Sequence, residues 1–357
     1  MDMTLRWYGK GFDSVSLKQI RQIPMVKGVI TTLYDTTPGE VWSRERIREV
    51  KEDVEAHGLK LSGIESVNIH DDIKVGLPSR DQYIENYIET LTRLGEEDIH
   101  MVCYNFMPVF DWTRSDLKKM LPDGSTCLSY DQELVDKINV ENMLSSMEEK
   151  ADGFILPGWE PERMARVKEL FEMYKDVDEE KLFQNLVYFL KAIMPTCKKY
   201  DIRMAIHPDD PAWPVFNLPR IITGKEKIQR MLNAVPDMEN GLTLCTGSLG
   251  SNPNNDIIDM IHAFRGRIHF AHVRNVNHLA PGKFDEAPHP TELGSLDIYG
   301  IMKALHDTGF DGPIRPDHGR MIWDEQGRPG YGLYDRALGA CYLNGIWESL
   351  CKTRGQK

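Results

Sequence analysis

Eight short apolar runs recur along the chain, at 4–8, 28–34, 59–65, 98–107, 201–207, 241–247, 267–274 and 312–317, and helical patterns lie between them. Strands that alternate with helices imply a parallel sheet, because a helical crossover returns the chain to the end of the sheet from which the strand began. Eight such units predict closure into a (β/α)8 barrel rather than an open sheet. The helical patterns repeat apolar residues three and four apart. Examples are Ile47, Val50 and Val54; Ile84, Tyr87, Ile88, Leu91 and Leu94; Leu182, Leu186, Leu190 and Ile193; and Ile298, Ile301, Met302 and Leu305. Ser43, Ser79, Asp256 and Asp297 stand where helix N-caps are expected, and Gly58, Gly95, Gly266 and Gly309 where helices should stop. An open doubly wound sheet would usually carry a Gly-rich phosphate turn after an early strand. Neither GxGxxG nor GxxxxGK[ST] occurs. The expectation is one barrel over 1–357, closed by a helix from Tyr334 to Leu350.

One segment breaks the rhythm. Residues 111–180 hold far more sequence than one crossover needs, with turn markers at Pro122-Asp123-Gly124 and Pro157-Gly158-Trp159. An insertion after the fourth strand lands at the active-site end of a barrel, which suggests a lid. The alternative is a surface excursion or a homo-oligomer contact.

Bulk properties exclude several classes of function. A formal net charge of −12 argues against nucleic acid, whose binding depends on neutralising phosphates. It leaves room for a small anionic substrate, since a few arginines can reverse the field inside one pocket. No apolar run reaches the 18 or so residues of a membrane span, and the first residues lack the pattern of a signal peptide. The six cysteines form no CxxC pair, which fits reduced thiols in a cytoplasmic enzyme.

In a barrel, chemistry belongs at the C-terminal ends of the strands. Four successive strands each aim one metal-competent side chain at the same place. Strand alternation sends Ile202, Met204 and Ile206 outward and leaves His207 pointing in; Leu242 and Leu244 face out and Cys245 in. Ile268, Phe270, His272 and Arg274 share an inward face, as do Arg315 and Asp317. Any one of His207, Cys245, His272 or Asp317 could be an ordinary buried residue, but together they make a ligand set for a divalent metal. Four ligands could close a tetrahedral zinc site. A metal with room for substrate oxygens, Mn2+ or Fe2+, suits catalysis better, and Zn2+ or Co2+ remains open.

Arg274, Arg315 and Arg320 crowd the same strand ends, and a guanidinium fork matches a carboxylate. The simpler role for Arg274 and Arg315 is pairing with acids inside the barrel. Trp7, Tyr8, Tyr34, Glu65 and Asn105 end the early strands and could hold sugar hydroxyls, with packing the plainer role for Trp7. His318, Tyr331 and Tyr334 are candidates for proton transfer. His318 could instead steady the carboxylate of Asp317. The acidic, Pro-bounded segment His207 to Pro211 shapes the site floor or forms a rigid loop.

These segments resemble a known family. Ala205-Ile206-His207-Pro208-Asp209-Asp210-Pro211, Leu244-Cys245-Thr246-Gly247-Ser248, His269-Phe270-Ala271-His272-Val273-Arg274-Asn275 and Arg315-Pro316-Asp317-His318-Gly319-Arg320 are similar to mannonate dehydratases. So are the opening Arg6-Trp7-Tyr8-Gly9 and the closing Gly330 to Ala337. The resemblance runs over nearly the whole chain. It implies a xylose-isomerase-like barrel that converts D-mannonate to 2-dehydro-3-deoxy-D-gluconate and water in hexuronate breakdown, with Mn2+ or Fe2+. It also implies His207, Cys245, His272 and Asp317 as ligands. For proton transfer the expectation is His318 as the base at C2 and Tyr334 as the acid at C3, with Tyr331 as substitute. The rival readings are a sugar isomerase or epimerase on the same barrel and a sugar-acid binding protein without catalysis.

Overall fold

The computed structural model describes residues 1–137 and 166–353. Eight parallel strands close a barrel: β1 (Asp2–Arg6), β2 (Gly28–Thr31), β3 (Lys60–Glu65), β4 (Met101–Tyr104), β7 (Arg203–Ile206), β8 (Asn240–Cys245), β9 (Ile268–His272) and β12 (Pro313–Arg315). Each lies beside its sequence neighbour around the ring, and β1 pairs with β12 to close it. The interior is packed by Ile30, Met101, Cys103, Ala205 and Phe270. Met204, Ile206, Leu242, Leu244 and Ile314 belong to the larger core between strands and helices, so period-two alternation holds on these strands. Ile268 departs from it and joins the outer core. The ladder pairs Leu242 with Ile268 but Thr243 with Phe270, so His269 is an extra residue on β9 and the alternation is re-phased across this bulge.

Ser43, Asp256 and Asp297 cap their helices through side-chain oxygens. Ser79 precedes the helix Arg80–Glu96, but its hydroxyl donates to Asp72 instead of capping. Gly58, Gly266 and Gly309 have positive φ just beyond helix ends. Gly95 does not end its helix. It lies inside Arg80–Glu96, where an added Cβ would fall 2.5 Å from the Tyr200 side chain of the neighbouring helix Glu179–Tyr200. This glycine permits close packing, and Asp98 takes the left-handed position after the helix, at φ 56°. No helix among the described residues is long and apolar enough to cross a membrane.

A second sheet was not anticipated. Strands β5 (Asp116–Met120), β6 (Thr126–Asp131), β10 (Asn275–Ala280) and β11 (Lys283–Ala287) form an antiparallel sheet in the order β10-β11-β6-β5. The first two come from the 111–180 insertion; the last two form a hairpin directly after β9. Bridges at Trp112–Asp210 and Thr126–Met321 tie the insertion to loops that follow β7 and β12. The sheet is hard to see in sequence because β10 and β11, NVNHLA and KFDEA, are short and polar. Residues 138–165 of the expected lid or excursion, including Pro157-Gly158-Trp159, lie outside the described residues.

His269 gives the fold a pH dependence. Its ring lies over Gly241, where a Cβ would come within 2.3 Å of it, and its Nε2 donates to the Met238 carbonyl at 2.9 Å. Burial, with help from Arg203 and Arg267, pulls its pKa from 6.5 down to about 4, although the Met238 carbonyl acts the other way. The unfolded chain therefore takes up this proton at a higher pH than the folded protein. Stability from this group is complete above pH 6.5 and is lost as pH falls from there toward 4. Between pH 7 and 4.5 the loss is about 2.5 kcal/mol. Denaturant unfolding at the two pH values should show a smaller loss in His269→Gln than in wild type. An equal loss would mean that His269 does not carry the effect.

Candidate active site

The strand ends bring His207, Cys245 and His272 together, each offering a ligand atom within 4.8 Å of the others. His207 follows β7, and its backbone N–H donates to the Tyr104 carbonyl at 2.6 Å. Its Nδ1 lies 2.8 Å from the Pro208 carbonyl, an acceptor only, so Nδ1 carries the hydrogen and Nε2 keeps its lone pair. Cys245 and His272 are the last residues of β8 and β9, both fully buried. His272 Nε2 lies 3.5 Å from Glu65 Oε2. Asp317, two residues past β12, sits at φ 61°, in the left-handed region that Asp tolerates better than most side chains. Its carboxylate lies 3.6 Å from Cys245 Sγ and 3.6 Å from His272 Nδ1.

A second donor group, Glu65, Cys103 and His272, shares His272. It is poorly suited to a cation. Glu65 already accepts from Arg315 Nη2 at 3.0 Å and pairs with Arg6 Nη1 at 3.1 Å. The Cys103 thiol is pushed well up by burial and by the Glu65 charge, which keeps it protonated.

The arginines are paired with protein carboxylates. Arg274 spends Nε on Asp317 at 2.7 Å, Nη1 on Glu286 at 2.9 Å and Nη2 on Asp210 at 2.8 Å. Arg315 Nη2 reaches Asp317 at 2.7 Å, while its Nε and Nη1 have no partner among the described residues. Arg114, from the insertion, bridges Asp210 at 2.8 Å and Glu286 at 2.8 Å. In this buried network Arg6, Arg114, Arg274 and Arg315 match Glu65, Asp210, Glu286 and Asp317 one for one. Burial alone would raise the Asp317 carboxyl, but its neighbours His318, His272, Arg315 and Arg274 hold it well below the usual range. Glu286 likewise resists the effect of burial. Arg274, His318 and Arg114 bring it down to about 2.

His318 lies against both the added sheet and the segment before the final helix. Its Nδ1 is 2.8 Å from Glu286 Oε1, and its Nε2 is 2.8 Å from the Tyr331 hydroxyl. Tyr331 is buried, stacks edge-on against Tyr8, and has its pKa raised, chiefly by burial and then by the Asp317 charge. A cavity of about 70 Å3 joins these groups and is also lined by Tyr8, Asn105, Trp112, His207, Arg274 and Arg315.

Three expected site residues lie elsewhere. Tyr334, the first residue of the helix Tyr334–Thr353, is 42% exposed and packs on Trp323, so it cannot serve as the acid at this cavity. Tyr331, three residues earlier, lines the cavity. Arg320 is held by Asp335 at 3.0 Å and Asp123 at 2.9 Å, outside the cavity. Trp7 is buried in the outer core. Alternation along β1 could have rejected it: Met3, Leu5 and Trp7 belong to the outer core, while Arg6 and Tyr8 line the cavity. The same signal would have found Arg6. Asn105 lines the cavity, with its Oδ1 accepting from the Met107 N–H at 3.3 Å. Tyr34 accepts from Arg6 Nη2 at 2.6 Å. Arg114 and Glu286 were missed because no strand-end rule applies to an added sheet.

A family model for D-mannonate dehydratase matches residues 1–357. The chain belongs to the D-mannonate dehydratase family. It is 67% identical to the mannonate dehydratase of Brachyspira hyodysenteriae over 352 residues, 99% of each chain. The crystal structure of the mannonate dehydratase from Streptococcus suis serotype 2 superposes with a TM-score of 0.89 at 43% identity, covering 100% of this chain and 95% of that one. A xylose isomerase-like TIM barrel protein from Mycobacterium smegmatis, at 14% identity and a TM-score of 0.56, shares the fold, with 98% of this chain and 97% of that one covered. Members of the dehydratase family are hydro-lyases, carbon–oxygen lyases that release water.

Proposed function

We propose that this chain dehydrates D-mannonate to 2-dehydro-3-deoxy-D-gluconate, with a divalent metal held by His207, Cys245, His272 and Asp317. The observation that carries this reading is the gathering of these donors at the barrel mouth, where His207 and Asp317 line the same cavity as the His318–Tyr331 pair. The residues fit a metal. His207 Nε2 keeps a free lone pair, and His272 turns Nδ1 toward Asp317, 3.6 Å from its carboxylate, while Nε2 faces Glu65 at 3.5 Å. The mixed donor set suits Mn2+ or Fe2+, the family expectation.

Charge supports the assignment. The guanidiniums and carboxylates of the buried network cancel, so the arginines alone leave no surplus to attract an aldonate. A divalent ion beside a Cys245 thiolate adds one net positive charge, which matches one substrate carboxylate. When bound, the metal supplies Lewis-acid stabilisation of the negative charge that builds up as C2 loses its proton. Arg315 retains donors for the same anion, whereas those of Arg274 are taken by Asp317, Glu286 and Asp210.

His318 Nε2 accepts the C2 proton, and the C2–H electron pair becomes the C2–C3 double bond. The C3–O bond breaks, and the Tyr331 hydroxyl gives its proton to the departing hydroxyl, which leaves as water. The proton on His318 then passes to the Tyr331 oxygen, 2.8 Å away, and both residues return to their starting states. The enol product becomes the 2-keto acid on its own. The high pKa of Tyr331 keeps it protonated until the leaving group needs the proton. The six cysteines are unpaired, which suits a reducing cytoplasm.

The test is to incubate metal-reconstituted protein with a panel of aldonates and assay for 2-keto-3-deoxy acids. Mannonate should give the fastest formation. A ketose or an epimer as the only product would support the isomerase reading instead. Binding of mannonate without turnover would support a binding protein.

A further inference from the structure

We infer that Glu286, carried by the added sheet rather than by the barrel, is a positioning residue that fixes the ring orientation and tautomer of His318 for catalysis. The inference rests on the reading of His318 as the proton-transfer residue and extends it to the added sheet.

The geometry is specific. His318 Nδ1 lies 2.8 Å and 2.9 Å from the two oxygens of Glu286, and both side chains are buried. An ionised carboxylate only accepts hydrogen bonds, so Nδ1 must carry the hydrogen. In neutral His318 this leaves the lone pair on Nε2, the nitrogen that faces the Tyr331 hydroxyl. A base needs its lone pair on that side. With the other tautomer the ring would present an N–H to Tyr331 and to the substrate. Glu286 is itself held in place: Arg274 Nη1 donates to it at 2.9 Å and Arg114 Nη2 at 2.8 Å. Its strand β11 pairs with β6 of the insertion at Lys283–Asp131, Phe284–Tyr130 and Asp285–Ser129. Phe284 stacks on Tyr130 with ring centroids 5.5 Å apart. The added sheet therefore reaches the reaction centre through one carboxylate, and the chain Glu286–His318–Tyr331 joins it to the segment before the final helix. Carboxylate partners of metal-bound histidines fix the free ring nitrogen in the same way and matter by about 10–100-fold in activity.

Two measurements test this on the metal-loaded full-length protein. The 15N shifts of histidine-labelled wild type, with His318→Asn used to assign the signal, should show His318 protonated on Nδ1 and bare on Nε2. Glu286→Gln, which keeps the shape and removes the charge, should lower kcat by roughly 10–100-fold. The KM for mannonate should stay within about threefold and the bound metal should be unchanged, because Glu286 touches neither. A wild-type His318 protonated on Nε2 would overturn the inference, as would Glu286→Gln with wild-type kcat. A fall in metal content equal to the fall in kcat would also overturn it, since Glu286 would then act through Arg274 and Asp317. If Glu286→Gln fails to fold, the wild-type tautomer decides alone. Failure of the base reading looks different: His318→Asn would keep its activity while the Nδ1-protonated tautomer of wild type stood as expected.

Discussion

Cys245→Ser is expected to fold like wild type, to hold less metal, and to dehydrate mannonate at least about 100-fold more slowly, a larger effect than the loss of a residue that only supports a ligand. Serine keeps the size of the side chain and the contact to Ser248, whose hydroxyl lies 3.0 Å from Cys245 Sγ, so the barrel should survive. It does not keep the thiolate. An alcohol near neutral pH stays protonated and is a poor ligand, while His207, His272 and Asp317 remain to bind metal more weakly. The charge argument points the same way. Without a full-occupancy ion, the paired arginines leave no surplus positive charge for the aldonate. Metal analysis and kinetics on one preparation read the two effects together. Adding excess Mn2+ or Fe2+ should restore part of the activity. A variant with full metal and normal turnover would remove Cys245 from the ligand set and reopen the role of Asp317, which also contacts His272.

The second large effect is expected at His318. His318→Asn should lower kcat by about 100- to 10,000-fold, the usual range for a lost acid–base group, while keeping its metal. Asparagine can still meet Glu286, so the arginine network should persist. Solvent exchange separates the roles of the pair. In deuterated water the His318→Asn protein should neither dehydrate mannonate nor exchange its C2 proton. Tyr331→Phe should also lose dehydration but can still exchange that proton, because the base is intact and only protonation of the leaving hydroxyl is impaired. If His318→Asn exchanges the C2 proton at the wild-type rate, the base lies elsewhere, and His318 serves only to steady Asp317, from which its Nε2 is 3.9 Å away.

How much was readable in advance depends on which interaction fixed each residue. His207, Cys245, His272 and Asp317 were legible because strand alternation is local and a barrel puts strand ends in one place. His318 and Tyr331 were legible as candidates, but their contact at 2.8 Å joins residues 13 positions apart through a loop that no periodicity describes. Tyr334 and Tyr331 look equivalent in the segment Tyr331-Gly332-Leu333-Tyr334. The loop turns one into the cavity and leaves the other against Trp323 at the surface. Arg320 was misassigned for a similar reason: Asp123, 197 positions away, and Asp335 hold it outside the site.

Apolar period and crossover length are properties of contiguous residues, so the barrel was legible in the sequence. So were the donor types at the barrel mouth. Which charges neutralise which depends on contacts that the fold alone creates. Arg114 meets Glu286 across 172 positions and Arg274 meets Asp210 across 64, in a buried space where each unpaired charge would be costly. Those pairings rest on a sheet assembled from two distant, polar hairpins. Its strands gain their stability from one another and from the barrel loops beneath, so neither hairpin announces the sheet in its own residues.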